Sequence, residues 1–195
     1  MTATNRSHLQ VHQRIWLDAF ADYARRNVQE SDVADLFGDF VTRHADAAER
    51  ALSHGHLTGS AWLVSADGRR VLLTHHRKLN LWLQLGGHAD GETDLARVAL
   101  REAEEESGLR DLRAEPEIFD MDRHLIPALG SVAEHWHYDV RFVVRALGSE
   151  TFAVSDESHA LAWRDIATIA HDATLDASVQ RMAQKWVRLS ASAIP

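Results

Sequence analysis

The composition of this 195-residue chain excludes several kinds of chemistry before any motif is considered. It has no cysteine, so disulfides, thiolate metal sites and thiol nucleophiles are ruled out. Its net charge of −8 argues against a nucleic acid polymer or an anionic membrane as the main partner, although a small anion bridged by metal is compatible with it.

The N-terminal part is predicted to be helical. Trp16, Phe20 and Tyr23 recur at helical spacing, and a second helix is expected after a break, with Ser31 as its N-cap. Aromatic stripes of this kind indicate packing, either against a sheet or against a partner subunit. We assign residues 1–56 to a helical extension that precedes the main domain.

Strand signals follow the extension. The segment His54-Gly55-His56 is interpreted as an exposed, flexible connection, so its two histidines are not counted as ligands. Strands are predicted at 61–64 and 71–74, joined by a short connection in which Asp67-Gly68 indicates a hairpin turn. A further strand at 81–85 runs into a pair of glycines.

The stretch from Gly86 to Leu109 gives the strongest signal. Its second half is predicted to be a helix in which three apolar residues share one stripe with three glutamates: Leu95, Val98, Ala99, Glu102, Glu105 and Glu106. Glutamates one turn apart repel, and carboxylates near a helix C-terminus oppose the macrodipole. A hard cation bound by their oxygens removes both objections. A solvated acidic face is the alternative, and it suits Glu104 on the opposite side.

This stretch also resembles a known motif. Residues 101–109, REAEEESGL, match the second half of the Nudix box, and a Gly-Gly pair and a Glu lie upstream. The chain is identified by this resemblance as a member of the Nudix hydrolase family, over about Leu57 to Ile169. Eight residues, where the motif has seven, separate Glu92 from Arg101, so no role is assigned to Glu92.

The resemblance implies the fold and the reaction. The fold class is α/β, a Nudix-type α/β/α sandwich with a mixed sheet, here in residues 57–195 with a C-terminal helix and preceded by the N-terminal helices. The implied activity is metal-dependent hydrolysis of a phosphoanhydride bond in a nucleoside diphosphate linked to another moiety. An ADP-ribose-like or nucleotide-sugar substrate is favoured. A cytoplasmic protein is expected, because no signal peptide or membrane span is evident.

The resemblance also implies site residues. Mg²⁺ or Mn²⁺ would be held by the Gly87 carbonyl, the three box glutamates, and a glutamate on the loop before the strand that contains Trp163. The implied ligands are Gly87, Glu102, Glu105, Glu106 and Glu157. The catalytic residues would be Glu105, Glu157 and Arg101, with Arg101 orienting the carboxylates through a salt bridge. The choice of general base stays open between Glu157 and a box glutamate.

Two later strand-like segments each collect ionisable side chains on one face: Asp120, Asp122 and His124, then His135, His137 and Asp139. Strands facing solvent would show the same alternation, and for the aspartates this alternative stays open. We favour His124 and His137, together with Arg77, as substrate-binding residues. A transition-metal site built from these histidines is the rival interpretation, although their spacing matches no zinc motif.

Two other functions are possible for such a fold. An isomerase of the isopentenyl-diphosphate type uses a cysteine, and this chain has none. A non-catalytic Nudix-fold nucleotide-binding regulator is the alternative, although such proteins often lose box carboxylates that are all present here. We expect a small-molecule nucleotide-type substrate and neither a nucleic acid polymer nor a membrane as partner. The extra helices are compatible with a homodimer.

Overall fold

The computed structural model describes residues 8–77, 79–128, 130, 132–154 and 158–192. The helices are α1 (Val11–Arg26), α2 (Ser31–Arg43), α3 (Leu95–Ser107), α4 (Ile166–Ile169) and α5 (Ala177–Ser192), with a 3-10 turn at Val28–Glu30. The strands are β1 (Gly55–Val64), β2 (Arg70–His76), β3 (Leu81–Leu83), β4 (Leu85–His88), β5 (Leu112–Ile126), β6 (His135–Ala146) and β7 (Ser158–Asp165). In these described ranges, no helix has the length and apolar character needed to cross a membrane.

The seven strands form one mixed sheet with β1 at its centre. β1 runs parallel to β6 along its whole length, and β6 pairs antiparallel with β5. On its other edge, β1 pairs with β4 through Thr58 to Ala61, and it meets β2 only at Val64 and Val71. β2 then pairs with β3 and β7. The hairpin expected between β1 and β2 is present, but its two strands diverge directly after the turn.

Helices cover both faces of this sheet. On one face α1, α2 and α3 enclose a core that includes Phe37, Leu57 and Val98. On the other face α4 and α5 cover a second core around Trp62 and Met182. The expected α/β/α sandwich with a mixed sheet is therefore confirmed.

The aromatic stripe of the N-terminal helices packs on the sheet. Trp16, Phe20 and Tyr23 are all buried, and Phe40 of α2 stacks on Tyr138 of β6 with ring centroids 3.9 Å apart. The break between the helices lies where it is expected, although α2 begins at Ser31 itself and Glu30 occupies the N-cap position. These helices share one hydrophobic core with the sheet.

The prediction that residues 54–56 form an exposed connection was wrong for His56. β1 already begins at Gly55, and His56 pairs with His137 of β6 and is only 3% exposed. His54 is exposed, as expected. The strand predicted at 81–85 is divided into β3 and β4, because the chain leaves its pairing with β2 and joins β1.

Candidate active site

Local interactions define both ends of helix α3. Asp94 is its N-cap, and the Asp94 side chain accepts a hydrogen bond from the backbone N–H of Arg97. Gly108 ends the helix in the left-handed conformation with φ of 69°. The extra residue of the box lies in the loop before the helix, where Glu92 accepts a hydrogen bond from the backbone N–H of Asp94 at 3.0 Å. The insertion therefore leaves the glutamates of α3 in their helical register.

Two of the three box glutamates turn toward β4. Glu106 is 8% exposed, and its Oε1 accepts a hydrogen bond from the backbone N–H of Gly86 at 2.8 Å. The Glu102 carboxylate lies against Gly87 so closely that a Cβ there would be 2.6 Å from Glu102 Cδ. Only glycine lets the backbone approach a carboxylate this closely. Glu105 is exposed on the same helix.

Arg101 connects this helix to the end of β4. Its Nη2 donates to the His88 carbonyl oxygen at 2.9 Å and to Glu102 Oε1 at 2.8 Å. The hydrogen bond with Glu102 raises the pKa of Arg101 above its usual value. The guanidinium is thus fixed beside one carboxylate, and it sets the orientation of that carboxylate.

The donor set at this end of α3 fits a hard divalent cation. Carboxylate and backbone carbonyl oxygens are the ligands that Mg²⁺ and Mn²⁺ prefer. Glu102, Glu106 and the glycine backbone of β4 supply such oxygens in a small region, because the absence of a side chain at Gly87 lets the Glu102 carboxylate lie against the backbone.

The opposite face of the sheet presents polar side chains in rows that cross several strands. Strand register aligns His124, His137 and His56 in one row. The next row contains Asp122, Asp139, Thr58 and His88. Asp120 and Asp139 are 0% and 1% exposed. The alternative in which these aspartates face solvent is therefore wrong.

Asp139 accepts hydrogen bonds from two strands and from the segment between β3 and β4. Its Oδ1 accepts from Thr58 Oγ1 at 2.9 Å and from Ser60 Oγ at 2.7 Å. Its Oδ2 accepts from Arg141 Nε at 2.7 Å and from Gln84 Nε2 at 3.2 Å. Burial alone would raise the pKa of Asp139, but Arg141, His124 and the hydrogen bond from Ser60 lower it. Asp139 is therefore a buried carboxylate with a structural role.

A second buried carboxylate joins the sheet to both helical layers. Asp120 accepts hydrogen bonds from Arg141 Nη1 at 3.1 Å, Arg181 Nη2 at 2.7 Å and Lys185 Nζ at 2.8 Å. Lys185 belongs to α5, and its Nζ also donates to the hydroxyl of Tyr23 in α1 at 2.8 Å. The two helices therefore meet at the edge strand β5 through one ammonium group.

Five histidines gather where this polar face opens. The ring of His137 lies 5.4 Å from that of His124, 5.2 Å from His135, 4.9 Å from His56 and 5.0 Å from His88, between centroids. Burial, together with the neighbouring His88, lowers the pKa of His137 to about 2 and that of His56 to about 4. Both rings are therefore uncharged at neutral pH.

Sequence reasoning identified three members of this cluster but missed His56 and His88. The structure brings His124 and His137 together, as their paired positions on β5 and β6 require. A signal for His56 was available, since it alternates with Thr58 and Ser60 along β1. His88 gave no such signal, because it follows two glycines in a strand of four residues.

Two other residues were predicted from the sequence, Arg77 and Glu157. Arg77 is exposed in the turn after β2, and its Nη2 donates to the carbonyl oxygen of Ser158 at 3.1 Å. Glu157 lies outside the described residues, immediately before Ser158. Arg77 therefore contacts the first residue of β7.

A family model described as the NUDIX domain matches residues 56–185 of the chain. The chain belongs to the Nudix hydrolase family. The match begins within β1 and ends in α5, so the Nudix domain spans the whole sheet and both sites described above.

Solved Nudix structures resemble this fold at low sequence identity. An Ap4A hydrolase from C. elegans has a TM-score of 0.55 at 16% identity, covering 70% of this chain and 98% of that chain. A MutT protein from Methanosarcina mazei Go1 has a TM-score of 0.54 at 16% identity, covering 71% and 97%. A dihydroneopterin triphosphate pyrophosphohydrolase from E. coli has a TM-score of 0.53 at 16% identity, covering 68% and 95%. No curated protein matches the chain in sequence.

Proposed function

We propose that this Nudix protein is a Mg²⁺- or Mn²⁺-dependent hydrolase of a phosphoanhydride bond in a nucleoside diphosphate linked to another moiety. The main support is the arrangement of Glu102 and Glu106 against the Gly86-Gly87 backbone. Carboxylates that approach a glycine backbone this closely form a concentrated set of oxygen ligands, which a divalent cation would neutralise.

The proposed metal ligands come from α3, from β4 and from the residues before β7. Glu102, Glu105, Glu106 and the Gly87 carbonyl would hold the ion, and Glu157 is a further candidate ligand from the loop before β7. When bound, the ion neutralises the diphosphate and lowers the pKa of a bound water. Arg101 fixes the Glu102 carboxylate through its 2.8 Å hydrogen bond.

Two glutamates are candidates for accepting the proton of the attacking water. Glu105 is exposed, so a water molecule and a substrate phosphate can both reach its carboxylate. Glu157 precedes Ser158, whose carbonyl is held by Arg77 at 3.1 Å. Comparing Glu105→Gln with Glu157→Gln by the pH dependence of kcat identifies the base, because its loss removes the acidic limb of the profile.

For the substrate we favour an ADP-ribose-like compound or a nucleotide sugar. Two of the structurally similar enzymes are named for a dinucleotide and for a pterin triphosphate, which both contain phosphoanhydride bonds. Arg77, His124 and His137 are the proposed substrate-binding residues. His124 is half-buried at the open end of the polar face, where an imidazole can donate to phosphate oxygens.

The test is phosphate-product release from a panel of nucleotide sugars, dinucleotides and nucleoside triphosphates, with and without Mg²⁺ or Mn²⁺. We expect one substrate class to turn over only with metal. Glu105→Gln and Glu106→Gln should each lower kcat at least about 100-fold. Glu104→Gln is the matched control, because Glu104 lies on the same helix and is not a proposed ligand, and it should retain activity.

Other outcomes decide against the proposal. Turnover without metal, or an equal loss in Glu104→Gln, would exclude the carboxylate mechanism. If no compound turns over but one of them raises the melting temperature, the protein is a nucleotide-binding regulator. Circular dichroism of each variant checks that the fold is retained.

A further inference from the structure

The histidines on the polar face form a compact group that the hydrolytic mechanism does not use. We propose that His56, His88 and His137 form a binding site for a transition-metal ion of the Zn²⁺ class, separate from the carboxylate site. The three residues come from β1, β4 and β6, so their positions are set by sheet register. This inference does not depend on the proposed hydrolase activity.

The three rings converge on a common centre. One nitrogen from each lies within 4.8 Å of the other two, whereas nitrogens on a tetrahedral Zn²⁺ with bonds of about 2.0–2.1 Å lie about 3.4 Å apart. Small rotations of the side chains would close this gap. The backbone positions of the three histidines are fixed by strand pairing, so only side-chain rotations are needed to bring the nitrogens to metal-binding distance.

The hydrogen bonding of the rings supports a ligand role. The Nε2 atom of His137 is buried and has no hydrogen-bond partner. Neither nitrogen of His56 has a partner at normal hydrogen-bond geometry, and the Leu52 backbone interacts more weakly with this ring. Histidine ligands usually direct one nitrogen to the metal and the other to a carbonyl or carboxylate. A bound ion would therefore satisfy buried nitrogens that the protein leaves without partners.

The surroundings of the cluster favour a nitrogen-binding metal over Mg²⁺. The nearest buried carboxylate on the adjacent row is Asp139, and its oxygens already accept four hydrogen bonds. Uncharged imidazoles are ligands for Zn²⁺, Co²⁺ and Ni²⁺, whereas Mg²⁺ requires oxygen ligands. Three histidines would leave a fourth coordination position open to water or another ligand. The rings of His124 and His135 lie 5.4 and 5.2 Å from that of His137.

The proposed site lies on the opposite side of the sheet from the box glutamates. In β4, Gly87 faces Glu102 on the α3 side, and its neighbour His88 pairs with Thr58 and points to the other face. In β1, Gly59 lies against Val98 of α3, and a Cβ there would be 2.8 Å from the Val98 side chain. The two sites therefore lie on opposite faces of the sheet and use adjacent residues of β4.

The test is titration of the full-length, metal-free protein with Co²⁺ and Zn²⁺ in separate experiments. Co²⁺ bound to histidine in a four- or five-coordinate site gives visible d–d absorption that an oxygen-ligated six-coordinate ion gives only weakly. We expect one equivalent of Co²⁺ to produce this absorption, Zn²⁺ to displace it, and Zn²⁺ to raise the melting temperature. His88→Gln and His137→Gln should each weaken Co²⁺ binding at least tenfold.

Matched controls distinguish this site from others. His171→Gln changes an exposed histidine, and Glu102→Gln and Glu106→Gln change the carboxylate site. His44→Gln removes the exposed pair in which His44 and His54 have Nε2 atoms 3.1 Å apart. All four variants should keep the Co²⁺ signal.

Three results would overturn the proposal. The first is a wild-type protein that binds Co²⁺ no more tightly than His137→Gln. The second is loss of the signal in His44→Gln with retention in His88→Gln. The third is loss of the signal in Glu102→Gln or Glu106→Gln with retention in the histidine variants. His88 and His137 are only half-buried, so these substitutions test the site even if a change at His56 prevents folding.

Discussion

The carboxyl group of Glu102 lies so close to Gly87 that residue 87 has no room for a side chain. A Cβ on Gly87 would be 2.6 Å from Glu102 Cδ and 2.9 Å from Glu102 Oε1. A real Cβ does not approach other atoms this closely. Helix α3 and strand β4 are therefore in contact through a carboxylate and a bare backbone, and each constrains the position of the other.

Gly87→Ala should remove metal-dependent hydrolysis without unfolding the protein. The added methyl group displaces the Glu102 carboxylate, and a displacement of about 1 Å in an active site can cost about 100-fold in rate. Steady-state kinetics at several Mg²⁺ concentrations measure the loss. Gly38→Ala is the control, because a Cβ on Gly38 in α2 meets only Leu17 at 3.4 Å. Equal activity of the two variants would show that the close approach at Gly87 is not needed.

Arg101→Lys should weaken the activating metal while leaving the fold intact. A lysine cannot donate to both the His88 carbonyl and Glu102 from one planar group, so the Glu102 carboxylate loses its fixed orientation. Loss of an orienting partner of a metal ligand typically costs 10–100-fold in affinity, so the Mg²⁺ concentration for half-maximal rate should rise by about that factor. Arg97→Lys, in an exposed ion pair 3.5 Å from Glu92, should cause no such shift.

Asp120→Asn should be among the most destabilising single changes in the chain. Asp120 is fully buried, and its removal leaves Lys185 and Arg141 with less compensating charge in the interior. Breaking a buried ion pair costs about 3–5 kcal/mol in the free energy of unfolding. Chemical denaturation measures it, with Asp22→Asn in an exposed ion pair as the control. A cost below about 1 kcal/mol would mean that the buried network is not stabilising.

Asp120 should also make the stability of the protein depend on pH. Burial would raise the pKa of Asp120, but Arg141, Arg181 and Lys185 lower it below the ordinary value of 3.8. Because the pKa of Asp120 is lower in the folded than in the unfolded state, its ionised carboxylate stabilises the fold at pH values above the unfolded-state pKa. This stabilisation is lost as the pH falls through the folded-state pKa. Below about pH 4 the stability advantage of wild type over Asp120→Asn should shrink by up to about 1.4 kcal/mol per pH unit. Parallel stability curves for the two proteins would contradict this assignment.

Phe37→Ala tests whether the N-terminal helices fold together with the sheet. Phe37 is fully buried, and its ring lies 5.7 Å from Phe20 and 5.2 Å from Tyr138, between centroids. Truncating it should lower the free energy of unfolding of the whole protein by about 3–5 kcal/mol in a single transition. Val28→Ala, at an exposed position, should have little effect. A separate early transition for the helices alone would show that they form an independent unit.

Local periodicity was sufficient to predict several helices and strands, whereas the arrangement of the α/β/α sandwich was implied by the resemblance to the Nudix family. The residues Leu95, Val98 and Ala99 of α3 are buried, as their spacing predicts, and the buried stripe of α5 includes Val179 and Met182. These patterns are visible because a helix repeats its buried positions every three or four residues. The start of β1 was missed because it depends on pairing with β6, about 80 residues away in the sequence.

The box glutamates could be predicted because one helix presents all of them. The burial of Asp120 could not, because its compensating charges lie on other elements: Lys185 on α5 and Arg141 on β6. Asp139 has Arg141 two residues away on its own strand, but its other hydrogen-bond donors, Thr58, Ser60 and Gln84, are distant in the sequence. Alternation along a strand identifies a shared face but does not reveal what covers it. The histidine cluster was predicted only in part for a related reason, since four strands contribute to it and only the histidines of β5 and β6 were grouped from the sequence.

The adjacent positions of Gly87 and His88 limit how this chain can change over evolution. Inserting or deleting one residue in β4 would exchange the faces of both, moving the glycine away from Glu102 and the imidazole away from His56 and His137. A single such event would damage two sites that otherwise share no side chain. The loop before α3 already tolerates an added residue, so length variation is expected there and not within β4.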